Sequence, residues 1–463
     1  MILILGAGPT GLSAAMELTQ CRSKTIVIEK ENQVGGLSKT LTFGRFKSDI
    51  GPHRFFSQNP SLYKLIGGLL GKRWRKVDRL TRFYIDGEYY YYPIRIGEAL
   101  IKVGPYRAIK ILADYLSERL RHREIRTFKD FIISNFGTTL ARFNMLNYTE
   151  KIWGLPCELI SPDWARQRIR GLSLKEAVLK TIRRRGGPKS LVDQFYYPDE
   201  GSGLIYDSMA ERIGEGSGKI ILNAHPVKID HDGHRVIEVV VRSKEGDQIF
   251  RPDHLISTIP ITELVYLLDP PPPREIEEEA AQLRFRSHVS LFLTLDRKSI
   301  FEDQWIYFPD PEIPFGRIME PKNFSSQLAP SDKTSLLIEY FTWYNDEIWK
   351  MRPEELSDIT LDWLGRLGFV KKTDVINCYI HREKYAYPVY DLDYKDHLDR
   401  VKDYLSDLNN LILAGRAGSF RYNNQDHALE MGILAAKSII EGRRYNIDRV
   451  GSEPEYLERG YLT

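Results

Sequence analysis

The sequence MILILGAGPTG, residues 1–11, decides the fold, and the residues up to position 29 complete its pattern. Residues 1–5 are a short apolar run, which is typical of a buried parallel strand. A GxGxxG turn, a helical pattern and a second apolar run at residues 25–28 follow, and this run ends at Glu29. The order of strand, glycine turn, helix, strand and acid predicts a dinucleotide-binding βαβ unit rather than a plain βαβ turn.

Each residue of this unit has a physical role in the prediction. The first glycine permits a tight turn, the second lets a pyrophosphate approach the backbone, and the third lets helix and strand pack closely. The helix N-terminus offers unpaired N–H groups to phosphates, and the acid can accept hydrogen bonds from ribose hydroxyls. The predicted cofactor-binding residues are Gly6, Gly8, Pro9, Thr10, Gly11, Glu29 and Lys30.

A second glycine pair, Gly35-Gly36, lies just past the acid. By itself the pair would be equally typical of an ordinary turn. After the first motif it resembles the extended fingerprint of the glutathione-reductase-like flavoproteins, which favours FAD over NAD. We therefore expect Gly36, Leu37 and Ser38 to contact FAD.

The composition sets the class of protein. At 463 residues the chain is long enough for two or three domains with a large core. Its 28% charged and 42% hydrophobic residues are ordinary globular values, and a net charge of +3 gives no reason to expect nucleic acid as a partner. No apolar run approaches the roughly 20 residues that span a bilayer. The chain starts directly with a buried strand, so we expect no signal peptide.

The three cysteines, Cys21, Cys157 and Cys378, lie far apart and fit no metal or CxxC spacing. They indicate a reduced, cytoplasmic compartment, and we expect no metal site. Cys21 ends an apolar helical pattern and is predicted to be a small core residue.

Helical and strand patterns alternate along the chain, which predicts an α/β protein that is α+β as a whole. We expect an FAD-binding Rossmann-like βαβ domain of the glutathione-reductase type, an inserted helical region and an antiparallel β-sheet substrate region. The prolines within residues 269–275 predict a stiff linker. The predicted segments are the FAD domain (1–75, 215–265 and 395–445), a mainly helical substrate region (76–214), a sheet substrate region (266–394) and a tail (446–463).

Residues 95–126 combine helical spacing of apolar residues with several arginines. A basic amphipathic helix can lie on an anionic membrane, so peripheral membrane contact is one interpretation of this pattern. A solvated helix face is the commoner reason for it.

Several segments spread along the chain share motifs with one group of flavoproteins. In chain order they are GPHRFF (51–56), YTEKIWG (148–154), PFGRIME (314–320), YAYP (385–388) and GRAGSFRY (415–422). They resemble the GPHIFH, YTxKxWG, PYTRITE, YYP and GRLGTYRY segments of the UDP-galactopyranose mutases, within a wider group that includes protoporphyrinogen oxidases and monoamine oxidases. Three segments depart from the mutases: GLSLK at 171–175, NNQD at 423–426, and residues 265–310, which look more like the oxidase branch.

The resemblance assigns roles to the matching positions. It implies that a diphosphate is held by Arg170, Arg317, Tyr387 and Tyr422, that Tyr148 and Trp153 line a nucleotide-sugar site, and that His53 lies beside the isoalloxazine ring. The FAD fold further implies cofactor contacts from Val227, Gly415, Arg416, Asn424, Gln425 and Asp426. From the residues themselves, the arginine fork matches a phosphate pair and tyrosine hydroxyls add donors. Trp153 is equally typical of a packed core aromatic.

These residues leave three functions open. The resemblance implies a mutase with reduced FAD, in which flavin N5 bonds to the anomeric carbon of a nucleotide-diphosphate sugar and a pyranose becomes a furanose without net redox, for cell-surface polysaccharide synthesis. The second is an oxidoreductase of the protoporphyrinogen oxidase or amine oxidase type, which removes a hydride from a C–C or C–N bond. The third is a flavin-bound redox or scaffold partner without activity. No other catalytic cluster stands out, so the cofactor would carry the chemistry, and we expect a diphosphate-containing small molecule as the substrate.

Overall fold

The computed structural model describes residues 1–92, 102–121, 123–169 and 194–451. The strands are β1 (Ile2–Leu5), β2 (Thr25–Ile28), β3 (Thr40–Phe43), β4 (Phe46–Asp49), β5 (Trp74–Asp78), β6 (Thr81–Ile85), β7 (Glu88–Tyr91), β8 (Gln194–Pro198), β9 (Gly218–Ile221), β10 (His225–His231), β11 (Val236–Ser243), β12 (Gly246–Phe250), β13 (His254–Ser257), β14 (Leu268–Asp269), β15 (Phe285–Leu295), β16 (Trp305–Tyr307), β17 (Arg317–Met319), β18 (Thr334–Thr342), β19 (Val375–Pro388) and β20 (Leu411–Leu413). The longer helices are α1 (Pro9–Gln20), α2 (Pro60–Leu70), α3 (Gly104–Leu120), α4 (Phe128–Phe136), α5 (Leu146–Trp153), α6 (Pro162–Ile169), α7 (Gly203–Glu215), α8 (Arg274–Gln282), α9 (Pro353–Arg366), α10 (Tyr394–Ser406) and α11 (Gln425–Ile440). The protein therefore has a mixed α/β fold.

A parallel sheet with the order β20-β13-β1-β2-β9 forms the first core. β1 lies in its middle, pairs in parallel with β2 and β13, and is buried along its whole length. A parallel sheet that is covered on both faces needs apolar residues on both sides of each strand, which explains the uninterrupted apolar run at residues 2–5. The sheet takes its strands from the beginning, the middle and the last part of the chain.

Helices α1 and α11 pack closely over this sheet. A Cβ atom at Gly432 of α11 would lie 2.1 Å from both the Ser13 Oγ and the Thr10 carbonyl oxygen of α1. The Ser13 hydroxyl donates to the Leu429 carbonyl, and the Thr10 hydroxyl donates to the Ala428 carbonyl, each at 2.9 Å. A glycine at position 432 therefore lets the two helices touch through backbone and small side chains.

The second core is a mostly antiparallel sheet with the order β19-β15-β18-β17-β16-β6-β7. The central strand β15 is buried at nearly every position and pairs with both β18 and β19. Helix α9 packs against one face through Leu356, Leu361 and Leu364. Strands β17, β18 and β19 carry the polar residues described below, so this sheet supplies one wall of the candidate site.

Two local predictions are wrong. Cys21 is exposed rather than buried, because α1 ends at Gln20 and the chain turns outward there. The predicted linker at 269–275 is shorter than expected: Asp269 belongs to β14, which pairs with β10, and α8 begins at Arg274. Only the four prolines between them connect the two elements.

Some predictions fall on residues that the structure does not describe. Arg170 and the segment 171–175 lie outside the described residues. Of the predicted basic helical region, α3 is described, whereas residues 95–101 are not. Among the helices of the described ranges, none is long and apolar enough to cross a membrane.

Candidate functional site

The first glycine turn connects β1 to α1. Gly6 has a φ of 100°, which side chains other than glycine rarely adopt, and its N–H donates to the Ile28 carbonyl of β2 at 2.8 Å. A Cβ at Gly11 would lie 1.9 Å from the Gly6 carbonyl oxygen, so a side chain there would push α1 away from the turn. These two glycines are required by the protein's own backbone.

Gly8 is different, because nothing in the described part of the chain requires a glycine at this position. Its φ of −76° and ψ of −177° are open to any residue, and an added Cβ would meet no atom closer than the Gly36 Cα at 3.9 Å. Gly8 is the N-cap of α1, where the first helical N–H groups are unpaired. The absence of a side chain leaves space for a phosphate group directly above this N-terminus. The turn therefore fits a dinucleotide.

The second glycine pair packs directly onto the first turn. The Gly35 N–H donates to the Ala7 carbonyl at 2.9 Å, and a Cβ at Gly36 would lie 3.1 Å from the Gly8 Cα. Gly36 begins a short 3-10 turn that contains Leu37 and ends at the buried Ser38. The two turns form one continuous cradle at the carboxyl end of β1.

Glu29 follows β2 and is buried beside this cradle. Its carboxylate accepts hydrogen bonds from the Ala7 N–H at 2.7 Å and the Glu31 N–H at 3.0 Å. Each carboxylate oxygen keeps acceptor capacity beyond these bonds. Close by in sequence, Gln33 has a buried amide nitrogen without a partner in the described part of the chain, whereas Lys30 is exposed. Sequence reasoning missed Gln33.

Residues after β20 close the cradle from the other side. Gly415 has a φ of 82°, and a Cβ there would lie 2.9 Å from the Thr10 hydroxyl. Asn424 caps α11, and the Asp426 carboxyl is buried with one oxygen unpartnered among the described residues. Burial raises the pKa of Asp426. Gln425 accepts from the Ser202 and Tyr206 hydroxyls, so its side chain serves the protein's own packing.

Val227, a predicted cofactor contact, belongs to a strand that starts close to Glu29. It is half-buried in β10, at an irregularity where the pairing with β11 shifts between Pro226 and Lys228. The preceding Ala224 N–H donates to the Glu29 carbonyl at 2.9 Å. The strand start that contains Val227 is therefore tied to the acid of the first motif.

The cleft beside the antiparallel sheet contains a buried charged group. Arg317 of β17 donates to Glu339 of β18 through both Nε, at 2.9 Å, and Nη2, and His288 Nε2 lies 3.2 Å from the same carboxylate oxygen. Burial raises the pKa of Glu339, but the Arg317 cation and the His288 hydrogen bond outweigh it and lower the pKa overall. Glu339 therefore stays ionised and balances the charge of Arg317.

Two of the predicted tyrosines lie next to this group. The rings of Tyr387 and Tyr422 stack with centroids 5.8 Å apart and an angle of 11° between them. The Arg317 Nη2 lies 3.4 Å from the Tyr387 hydroxyl. The Arg416 guanidinium lies 5.3 Å from the Tyr387 centroid and 5.1 Å from that of Tyr422, and it forms no salt bridge within the described ranges. Its guanidinium donates to the Ala386 carbonyl at 3.0 Å and to the Asn423 carbonyl, and neither neutralises it, so Arg416 adds positive charge to the cleft.

Helix α5 supplies the opposite wall through Tyr148 and Trp153. The Trp153 ring is 6.2 Å from Tyr387 and 6.4 Å from Tyr422, and it is 1% exposed. Burial raises the pKa of Tyr148 well above its usual value, and Arg317 is close enough to lower it in part. Trp153 is therefore a packed core residue that also lies beside the cleft.

Two further cations hold α5 against the sheet. The Lys151 ammonium donates to four carbonyls of the loop at 308–315, including Phe308 at 2.7 Å and Ile313 at 2.8 Å. Arg286 of β15 donates to the Ile152 carbonyl at 2.9 Å and the Phe341 carbonyl at 2.7 Å. The loop leads directly into Arg317, so these bonds fix the distance between the two walls.

His53 lies where the cradle and the cleft meet. Its carbonyl accepts from the Gln425 amide at 3.3 Å. Burial first, and then the charge of Arg416, lower the pKa of His53 to about 3, with Arg317 adding to the effect and Glu339 opposing it. His53 is therefore neutral at physiological pH.

Several buried polar atoms of the cleft lack partners. In the described residues these include His53 Nδ1, the Tyr148 hydroxyl, the Trp153 Nε1 and one Glu339 oxygen. Buried polar groups are normally hydrogen-bonded, so a group of unpartnered ones indicates a place where a ligand binds. The structure thus brings together all the predicted substrate residues that it describes, and Arg170 is outside that set.

Sequence reasoning missed Glu339 and His288. One signal was available for each, since Glu339 is a charge within the apolar run of β18 and His288 interrupts the apolar run of β15. A charged residue inside a fully buried strand needs a partner. The sequence alone did not say which residue that partner was.

The chain matches the protein family described as flavin containing amine oxidoreductase over residues 9–440. A carotenoid 3,4-desaturase of Haloarcula japonica is 24% identical over 267 residues, which cover 53% of this chain and 51% of that protein. The chain thus spans about half the length of this curated relative.

Solved structures resemble the whole chain. The crystal structure of a reduced UDP-galactopyranose mutase superposes with a TM-score of 0.83 at 22% identity, covering 97% of this chain and 98% of that one. A proposed protoporphyrinogen oxidase from Exiguobacterium sp. 255-15 superposes with a TM-score of 0.72 at 19% identity, covering 96% and 99%. At such identities these structures establish a shared fold.

Proposed function

This chain belongs to the flavin containing amine oxidoreductase family and is an FAD-dependent enzyme, and we propose that it acts on a nucleotide-diphosphate sugar as a mutase. In this proposal a pyranose and a furanose ring interconvert without net redox, in the synthesis of cell-surface polysaccharide. The proposed architecture is an FAD domain of the glutathione-reductase type, built from residues 1–75, 215–265 and 395–445, beside a helical and a sheet substrate region.

The glycine cradle would hold the FAD. The N-terminus of α1 and the open space at Gly8 would receive the pyrophosphate, and Glu29 with Gln33 would bind the ribose of the adenosine. When bound, FAD supplies either a reduced ring that donates electrons to a sugar carbon or an oxidised ring that accepts a hydride. The neutral His53 would offer the flavin end of the cradle a hydrogen-bonding nitrogen without adding charge.

The cleft residues would hold the substrate. The hydroxyls of Tyr387 and Tyr422 can donate to phosphate oxygens, and Arg416 supplies positive charge beside both rings. Because Glu339 already accepts from two nitrogens of Arg317, that arginine has one terminal nitrogen left for a phosphate. Trp153 would offer its buried N–H to the sugar or the base.

One observation carries the proposal. Side chains that can bind a diphosphate, contributed by β17, β19 and the segment after β20, surround polar atoms that lack partners in the described chain. Such a convergence of buried donors beside a cofactor is typical of a substrate site.

A second candidate is an oxidoreductase that removes a hydride from a C–C or C–N bond. The neutralisation of Arg317 by Glu339 favours it, because a cleft with less net charge and walls of aromatic rings also suits an apolar or amine substrate. The desaturase relative points in the same direction.

A turnover assay separates the two candidates. The purified yellow protein is given UDP-galactopyranose with and without dithionite, and the sugar products are separated by chromatography. Furanose product that forms only with reduced flavin, without consumption of an electron acceptor, supports the mutase. Oxygen uptake with an amine or a polyene, and no furanose under any condition, would overturn it in favour of the oxidoreductase.

A further inference from the structure

Helix α3 has an apolar face that points away from the rest of the described chain. Its large apolar side chains recur every three or four residues and therefore lie on one side of the helix. Their exposed fractions are 79% for Tyr106, 68% for Ile109, 46% for Leu112, 62% for Leu116 and 86% for Leu120. Contiguous exposed apolar surface of this kind marks a binding surface.

The opposite side of α3 accounts for its attachment to the fold. Ile111 and Glu118 are buried, and the backbone at Asp114 and Tyr115 lies close enough to Gly137 that a Cβ there would be 2.8 Å from the Tyr115 nitrogen. α3 therefore packs against α4 and the turn that follows it. The apolar face does not contribute to this packing.

The charges of α3 are divided between its two sides. Both of its carboxylates are held inward: Asp114 accepts from the Thr139 N–H at 3.0 Å, and Glu118 pairs with Arg123 at 3.2 Å. The exposed charged residues of the helix, Arg107, Lys110 and Arg119, are all cations. Of these, Arg107 pairs with Asp86 on the neighbouring hairpin.

We propose that α3 docks the protein on an anionic lipid bilayer. The helix would lie in the plane of the membrane, with its apolar row among the upper acyl chains and Lys110 and Arg119 at the phosphate groups of the lipids. Charge complementarity selects this partner, because an apolar face bordered by cations, on a helix whose own two carboxylates are held inward, matches an anionic interface. This inference is independent of the reaction that the cleft catalyses.

Vesicle flotation tests the docking. The FAD-loaded protein is mixed with vesicles of phosphatidylcholine alone or with about 30% phosphatidylglycerol, in low salt and then in about 0.5 M salt. The protein is expected to float with the anionic vesicles, several-fold less with neutral ones, and less in high salt. Protein that stays in the lower fraction with anionic vesicles at low salt would overturn the proposal.

Two exposed substitutions make the test specific. The Ile109→Gln/Leu116→Gln variant is expected to reduce the bound fraction roughly tenfold, because it removes the centre of the apolar row. The matched control is Ile249→Gln, an isoleucine of β12 that is 55% exposed, and it is expected to bind as the unaltered protein does. Unchanged flavin absorption shows that each variant is folded.

Two outcomes would contradict the lipid assignment. If the double variant floats as well as the control, the apolar row is not the docking surface. If the protein binds no vesicles but sediments as a dimer that the double variant dissociates, the face belongs to a second copy of this chain.

Discussion

At the scale of single residues, Arg317 lies in the cleft as the sequence predicts, but its pairing with Glu339 changes the charge that it offers there. The sequence placed Arg317 in a phosphate-binding role, but its guanidinium is paired with a fully buried carboxylate from the neighbouring strand. Arg416, which was assigned to the cofactor, lies beside the two tyrosine rings without a carboxylate partner in the described chain. We therefore expect Arg416 to contribute more to attraction of an anion than Arg317 does.

The Arg317–Glu339 pair leads to a stability prediction. Arg317→Ala leaves Glu339 buried and charged with only His288 beside it, so the free energy of unfolding should fall by about 3–5 kcal/mol. The double variant Arg317→Met/Glu339→Gln removes both charges and should lose less than the sum of the single changes. Urea unfolding measures both effects.

The control for this experiment is an exposed ion pair. Arg352 and Glu355 pair at 2.7 Å with side chains 74% and 47% exposed, so Arg352→Ala should change the unfolding free energy by less than about 1 kcal/mol. An equally small loss in Arg317→Ala would mean that the buried pair does not hold β17 to β18.

His53 predicts a pH dependence of stability. Its pKa falls from 6.5 to about 3 on folding. Between these pH values His53 binds a proton in the unfolded chain but not in the folded protein. The contribution of His53 is therefore complete above pH 6.5 and is lost progressively as the pH falls toward 3. In His53→Gln this loss is absent, so the variant should gain stability relative to the unaltered protein on going from about pH 7.5 to about pH 4.5. Parallel curves of unfolding free energy against pH would contradict the burial of a neutral His53.

At the scale of elements, the β1–α1–β2 unit explains why the opening stretch was so informative. Its signals are local: Gly6, Gly8 and Gly11 act within a few residues of one another, and Glu29 bonds back to Ala7. The sequence therefore predicted this unit well. The hold of Lys151 on the loop at 308–315 could not be predicted, because the carbonyl acceptors of an irregular loop carry no sequence signature.

Three glycine substitutions separate the requirements of the fold from those of the cofactor. Gly8→Ala should leave the folded protein stable but lower its affinity for FAD at least tenfold, since the methyl group fills only ligand space. Gly11→Ala should lower the free energy of unfolding by about 1–3 kcal/mol or more, the usual cost of overpacking, because its methyl group would meet the Gly6 carbonyl.

The control is Gly67→Ala within α2, where a Cβ would meet nothing within 4 Å. This change should stabilise the protein by about 0.5–1 kcal/mol, since alanine favours a helix over glycine. Flavin absorbance per protein and thermal unfolding measure the two effects. A Gly8→Ala protein that retains full FAD affinity would contradict the assignment of the cradle.

At the scale of the whole molecule, sequence reasoning predicted which segments matter but not how their charges combine. Residues 51–56, 148–154, 314–320, 385–388 and 415–422 were singled out individually, and the fold brings residues of all five to one cleft. The predictions for Cys21 and for the linker at 269–275 were wrong because the exposure of a side chain and the pairing of a short strand depend on distant parts of the chain. The role of Glu339 could not be predicted for the same reason, since its partner Arg317 comes from another strand.

The central claim is that a diphosphate-binding cleft faces the flavin. Titration of the bound flavin's absorption spectrum with UDP, and separately with uridine, tests it most directly. UDP should change the spectrum saturably while uridine changes it far less, and the Tyr387→Phe/Tyr422→Phe variant should bind UDP roughly tenfold or more weakly, since it loses two hydrogen bonds to a charged group. A spectrum that UDP leaves unchanged, with no UDP bound in equilibrium dialysis, would contradict the account.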